Sequence, residues 1–303
     1  MSVSMLDGGY RLKLANGEGW HLKASEELRS WIAELAEIME LSTSESDGFQ
    51  KLLFIKKNSD KKMKMKSLSC VDHHLRKDLP SQGWKVQDLF LLQLWSHDDV
   101  PDLICEIGNG DSHNLRTLRM RSSLYPIYHR VQASGGFPLH AALIEWNGIG
   151  ILLAAANETG KSTCCRRLPG SWKALCDEES LIVRTNQRQY YVHPFPTWSN
   201  CFWRRYKQTW NVQQHLPLSA IFFLEKAQID KVIPLKQGEA TVYISQSAIQ
   251  AFKLSWTNLD REQMRILKKN LFDNACELVR AVPAFKLHVS LSGQFWKEIE
   301  KFL

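Results

Sequence analysis

An apolar run that ends in Gly160-Lys161-Ser162-Thr163 constrains this chain more than any other feature. Gly148-Ile149-Gly150 leads into Ile151-Leu152-Leu153-Ala154-Ala155, then Ala156-Asn157-Glu158-Thr159, and Cys164-Cys165-Arg166-Arg167-Leu168 follows in helix-compatible order. Gly-Lys-Ser/Thr alone arises by chance ~0.15 times in a chain of this length. Its place between a buried strand and a helix gives it meaning as a phosphate-binding loop. Backbone N–H groups at such a helix start face phosphate oxygens, and the helix dipole favours negative charge there. The expectation is a nucleoside triphosphate held by residues 156–163, that is Ala156, Asn157, Glu158, Thr159, Gly160, Lys161, Ser162 and Thr163. Lys161 reaches the β- and γ-phosphates, Ser162 supplies a hydroxyl to Mg2+, and Gly160 permits close backbone approach. Ala155 stands where these loops carry their first glycine. Glu158 adds a negative charge that is expected to point outward.

Shortly after the loop helix comes Cys176-Asp177-Glu178-Glu179. A carboxylate at a strand end beside a phosphate loop can hold magnesium directly or through water. It can also take the proton of an attacking hydroxyl. Asp177 or Glu178 suits either role, and an acidic turn between two strands is the plainer alternative. His140 stands at the start of the strand before the loop strand. Arg204 and Arg205, in Phe202-Trp203-Arg204-Arg205-Tyr206-Lys207, are candidates for a phosphate contact or for the edge of an amphipathic helix. His193-Pro194-Phe195-Pro196-Thr197-Trp198 reads as a rigid loop or turn lining a substrate cleft, and His73-His74 as loop residues without metal-ligand spacing.

The rest of the pattern places these residues. Residues 10–14 and 20–23 read as a hairpin around Asn16-Gly17-Glu18-Gly19. A helix capped by Ser25 follows, with apolar positions Leu28, Ile32, Leu35, Ala36 and Met39. Strands are expected at 51–56, 89–95 and 103–107, giving a small α/β unit over 1–115. A helical stretch over 115–131, interrupted by Pro126, opens a second unit over 116–303. Its strands 140–146 and 149–156 are apolar on both faces, as in a sheet covered on both sides, and further strands are expected at 174–183, 190–192, 219–224 and 231–235. Helices over 244–254, 260–281 and 293–302 close the chain, with a strand at 285–290.

The net charge of +7 favours anionic partners without choosing among them. The lysine run at 56–66 reads as a solvated loop, and no nucleic-acid motif accompanies it, so nucleic acid ranks last among partners. Seven scattered cysteines without CxxC spacing fit reduced thiols in a cytoplasmic protein. No apolar run approaches the ~20 residues of a membrane span, and the start lacks a secretory pattern.

Pro138-Leu139-His140, Gly148-Ile149-Gly150, Gly160-Lys161-Ser162-Thr163 and Cys176-Asp177-Glu178, in that order, resemble HPr kinase/phosphorylase-like proteins. Within that group the chain looks most like the members found in peptide-modification gene clusters, the SynChlorMet cassette protein ScmC and the lasso-peptide kinases. The likeness spans about 115–235 and continues more weakly to the end. It implies an α/β fold with a P-loop core of the HPr kinase/phosphoenolpyruvate carboxykinase type, and the smaller N-terminal α/β domain beside it is a candidate for peptide recognition. It also implies transfer of the ATP γ-phosphoryl group to a serine hydroxyl, with a ribosomally made precursor peptide as substrate and enzymes of the same pathway as further partners. By this resemblance Asp177 is the base, Lys161 and His140 lie at the phosphates, and Ser162 and Glu178 serve Mg2+. The glycine-rich signature with which full HPr kinase/phosphorylases engage HPr is missing, which disfavours HPr as substrate. A kinase of free serine and a non-catalytic ATP-binding accessory protein are the alternatives.

Overall fold

The computed structural model describes residues 8–45, 48–57, 79–110, 112–155, 159–203, 208–253, 256 and 258–303. The elements form two mixed sheets with helices packed on them. The first sheet takes all its strands from the first third of the chain. β1 (Gly9–Lys13) and β2 (Gly19–Ala24) form the expected hairpin, with Gly17 at φ 87° in the turn. β3 (Ser42–Ser44), β4 (Gln50–Lys56), β5 (Lys85–Asp88), β6 (Leu92–Ser96) and β7 (Leu103–Ile107) complete the order β3-β1-β2-β4-β7-β6-β5. α1 (Arg29–Ile38) buries Trp31, Ile32, Leu35 and Ala36, the apolar stripe read from the sequence. Its start differs from the expectation. A 3-10 turn at Glu26–Leu28 precedes it, and the Ser25 hydroxyl makes no cap bond there.

The single helix expected over 115–131 is two, α2 (His113–Ser122) and α3 (Tyr125–Ala133). Pro126 sits in the first turn of α3, where its missing N–H costs nothing. The second sheet follows with β8 (Phe137–Leu139), β9 (Ala141–Trp146), β10 (Ile149–Ala154), β11 (Trp172–Cys176), β12 (Glu179–Arg184), β13 (Tyr190–Phe195) and β14 (Leu216–Lys226). Their order is β11-β9-β10-β14-β13-β12-β8, and β15 (Lys231–Pro234) and β16 (Ala284–Val289) join beside β14. β10 runs parallel to β14, and β14 parallel to β16. The remaining helices are α4 (Lys161–Arg167), α5 (Trp198–Trp203), α6 (Gln237–Phe252), α7 (Arg261–Ala281) and α8 (Phe295–Glu300).

β9 and β10 are buried on both faces, as their unbroken apolar runs demand. Leu143 and Leu152 point into a cluster shared with Leu22, Phe54, Ile127 and Phe252. Ile144, Ile151 and Leu153 point into a second cluster with Phe222, Phe285 and Phe295. The first cluster reaches from Leu12 to Ala284, so both sheets contribute to one core. The strand expected over 174–183 is broken at Asp177-Glu178 into β11 and β12, which have different neighbours. Of the loop expected over 193–198, His193-Pro194-Phe195 is instead the end of β13, and Trp198 opens α5. In β13, His193 is fully buried, donates from Nδ1 to the Val212 carbonyl (2.8 Å) and accepts at Nε2 from the Ala15 N–H (3.1 Å). Pro194 misled the reading, because a strand tolerates a proline at a point where no N–H is needed for pairing.

Candidate functional site

β10 ends at Ala154, and α4 begins at Lys161, so the Gly-Lys-Ser-Thr turn sits where the sequence put it. Gly160 caps α4 at φ 115°, a conformation closed to most side chains, and a Cβ there would meet nothing within 4 Å. Backbone geometry alone therefore demands glycine at this point. Thr159, Gly160 and Ser162 are half-buried and Thr163 is exposed. Ala156, Asn157 and Glu158 lie outside the described residues, as do Arg204 and Arg205 beyond the end of α5, and His73-His74 with the lysine run from 58 to 66.

Lys161 folds inward. It is 8% exposed, and its Nζ lies 2.8 Å from His140 Nε2 and 3.0 Å from the Ala155 carbonyl. An ammonium can only donate, so while Lys161 is charged His140 accepts at Nε2 and keeps its proton on Nδ1. Burial pushes the Lys161 pKa down to about 8, against the opposing pull of Glu178 and Asp177. His140 is fixed from the other side by α6. Its N–H donates to the Ser247 carbonyl (3.3 Å), and its own carbonyl accepts from the Ser247 hydroxyl (3.1 Å).

Asp177 and Glu178 form the turn between β11 and β12, the acidic turn that the sequence left open as the plainer alternative. Thr197 clamps Asp177. The Thr197 hydroxyl donates to Asp177 Oδ1 (2.6 Å) and accepts from the Asp177 N–H (3.3 Å). Glu178 has one oxygen 3.7 Å from Arg121 and the other accepting the Ser199 N–H at 2.8 Å. Behind the pair, Glu179 is fully buried and accepts from Arg121 (3.1 Å) and from the Tyr128 hydroxyl. Burial raises the Glu179 pKa, against Arg121 and Tyr128. Burial also works to lower the Arg121 pKa, but Glu179 and Glu178 outweigh it and the net shift is upward, so the guanidinium stays charged.

The fold thus brings His140, Lys161, Asp177 and Glu178 into one electrostatic neighbourhood, from three separate chain segments. Sequence reasoning missed Arg121, Tyr128 and Ser247, which lie on helices and have no motif of their own. Thr197 could have been found, because it stands in the stretch already singled out, two strands after the acids, and Ser199 follows it closely. Among the described residues no group of three or more His, Cys, Asp or Glu gathers to hold a metal, and no helix is long and apolar enough to cross a membrane.

A mixed α/β protein of two sheets, with a buried lysine–histidine pair facing a carboxylate turn, is the class these features define. Residues 103–303, about two thirds of the chain, match the family described as SynChlorMet cassette protein ScmC, and the chain belongs to that family. No curated protein matches it.

Proposed function

We propose that the chain is an HPr-kinase-like P-loop phosphotransferase that moves the ATP γ-phosphoryl group to a serine hydroxyl of a ribosomally made precursor peptide. The observation that carries this reading is the buried Lys161 ammonium, held by His140 and Ala155 at the mouth of a glycine-capped turn and within the field of Asp177 and Glu178. Phosphoryl transfer asks the protein for positioning and for neutralisation of charge, which is what such a group supplies.

In the proposed reaction the serine oxygen bonds to the γ-phosphorus, the bridging bond to the β-phosphate breaks, and ADP departs. The serine proton passes to the Asp177 carboxylate, which Thr197 holds by one oxygen. Lys161 offsets the charge on the transferred group. The residues suit Mg2+, a hard ion that keeps several waters and needs only one or two protein oxygens beside substrate phosphates. Ser162 would hold it directly, and Glu178, whose oxygens already face Arg121 and Ser199, would act through water. When bound, the ion supplies charge neutralisation at the phosphate oxygens.

The test is incubation with ATP, magnesium and the precursor peptide encoded nearest the gene, followed by mass spectrometry. One or more added phosphate masses are expected, lost in Lys161→Ala, with Asp177→Asn abolishing transfer while sparing nucleotide binding. Tight ATP binding without phosphopeptide would replace this reading with a free-serine kinase or an ATP-binding accessory protein. Undiminished turnover in Asp177→Asn would remove that residue as the base.

A further inference from the structure

The first sheet is open at β5, the last strand in its order, which pairs with β6 on one side and with no other strand among the described residues. The Leu89 N–H donates to the Leu92 carbonyl at 2.9 Å and closes the β5–β6 turn. From there the register runs Asp88↔Gln93, Gln87↔Leu94, Val86↔Trp95 and Lys85↔Ser96. In an antiparallel pair every second residue turns its N–H and C=O to the partner strand. Gln87 and Lys85 therefore bond β6, and the N–H and C=O groups of Val86 and Asp88 point away from it. Proteins commonly blunt such an edge with a free lysine, a proline or a bulge. β5 contains no proline and its register is unbroken. Its one lysine, Lys85, is drawn off by both oxygens of Asp98, each at 2.7 Å.

A groove of about 550 Å3 runs along this edge. All four residues of β5 line it, and Leu259, Gln263, Ile266 and Leu267 line it from the start of α7. Val86 is 45% exposed and Ile266 47%, so strand and helix each leave an aliphatic side chain open to solvent. Tyr125 of α3 also lines the groove, while Tyr128, one turn along the same helix, donates to Glu179 behind the acidic turn. One helix thus separates the groove from the candidate site.

We infer that this groove docks an extended peptide segment, which adds to the sheet as a strand beside β5. Its backbone bonds the outward N–H and C=O groups of Val86 and Asp88, and its alternate side chains lie against Leu259 and Ile266. The selection comes from the backbone: two donors and two acceptors at the two-residue spacing of a strand are completed by another extended chain. The groove has the volume of a ligand site, and the four residues of β5 span about 13 Å. A second copy would carry its own α7 beside its own β5, so a single chain suits the space between strand and helix better than a second sheet edge. The inference does not depend on the phosphotransferase reading.

The test is NMR of the full chain labelled with 15N, titrated with a capped Thr-Val-Thr-Val-Thr peptide and with its counterpart N-methylated at every amide. The plain peptide should shift the Val86 and Asp88 amide signals. It should bind about tenfold or more tightly than the methylated one, which keeps the side chains but has no N–H to donate. Val86→Pro removes an outward N–H that β6 does not use, so the fold should stand while affinity falls about tenfold. The methylated peptide tests the same bonds without altering the protein. Lys161→Ala should bind the peptide as the parent does, so this inference and the phosphotransferase reading fail separately. Unmoved Val86 and Asp88 signals at about 10 mM peptide, or equal binding of the two peptides, would overturn the inference. A dimer in sedimentation that Val86→Pro converts to monomer would overturn it as well, giving the edge to a second copy of the chain.

Discussion

At the scale of single residues, Lys161 is the most consequential side chain. Its folded pKa is about 8, below the ordinary 10.5, because burial disfavours the ammonium more than Glu178 and Asp177 favour it. Between these values the unfolded chain binds more protons than the folded one, so stability rises with pH across that window. At full extent the gain is about 3 kcal/mol. Denaturant melts at pH 7.5 and 10.5 should therefore show Lys161→Met closing the gap, with the variant more stable than the parent at the lower pH and close to it at the higher. A parallel pair of curves would mean that Lys161 is already solvated. The penalty at neutral pH is the mark of a charge kept dry for a reason other than stability.

At the scale of elements, the acidic turn between β11 and β12 is held to α2 and α3 by Arg121 and Tyr128. Removing one partner of a buried ion pair strands the other, at a cost of about 3–5 kcal/mol. Arg121→Met should lose about that much in equilibrium unfolding, and Glu179→Gln added to it should recover part, since it removes the stranded charge. If Arg121→Met costs under about 1 kcal/mol, the pair is behaving as a surface bridge. Most of the elements were legible, because β9, β10 and α1 carry the apolar periods that burial requires. The break at Asp177-Glu178 was not, since Leu175-Cys176 and Leu181-Ile182-Val183 read as one apolar strand on either side of it. Likewise Pro194 within β13 and Pro196 just after it hid the end of a strand behind a loop-like sequence. The Lys161 turn was legible because its chemistry is local, a glycine at φ 115° followed by the lysine. Its environment was not, because Ser247, Arg121 and Thr197 arrive from positions with no fixed spacing to it.

At the scale of the whole molecule, the two sheets are joined by one core and by a buried histidine. His193 sits on β13 and receives the Ala15 N–H from the β1–β2 turn. Burial depresses its pKa to about 4, against the Val212 carbonyl, which raises it. A base with a lowered folded pKa leaves the unfolded chain holding more protons between pH 6.5 and 4, so stability is lost as pH falls through that window. The expected loss is up to about 3 kcal/mol, and it should vanish from the pH profile of His193→Gln. A slope that survives in the variant would assign it to carboxylates instead. A single cooperative transition, seen by both sheets' tryptophans, is the accompanying expectation, since one cluster of buried side chains runs from Leu12 to Ala284.

The sequence by itself determined the hairpin, the doubly buried strands, the capped turn at Gly160-Lys161 and the acidic pair. Each follows from a local rule: turn glycines, a hydrophobic period, or a backbone conformation that only glycine adopts with ease. Tertiary structure alone decided that His140 meets Lys161, that Thr197 clamps Asp177, that Arg121 stands behind Glu178 and Glu179, and that His193 ties the two sheets together. Those contacts join residues 20 to 178 positions apart. No periodicity spans such distances, because what sets them is how the two sheets and their helices close around a common core.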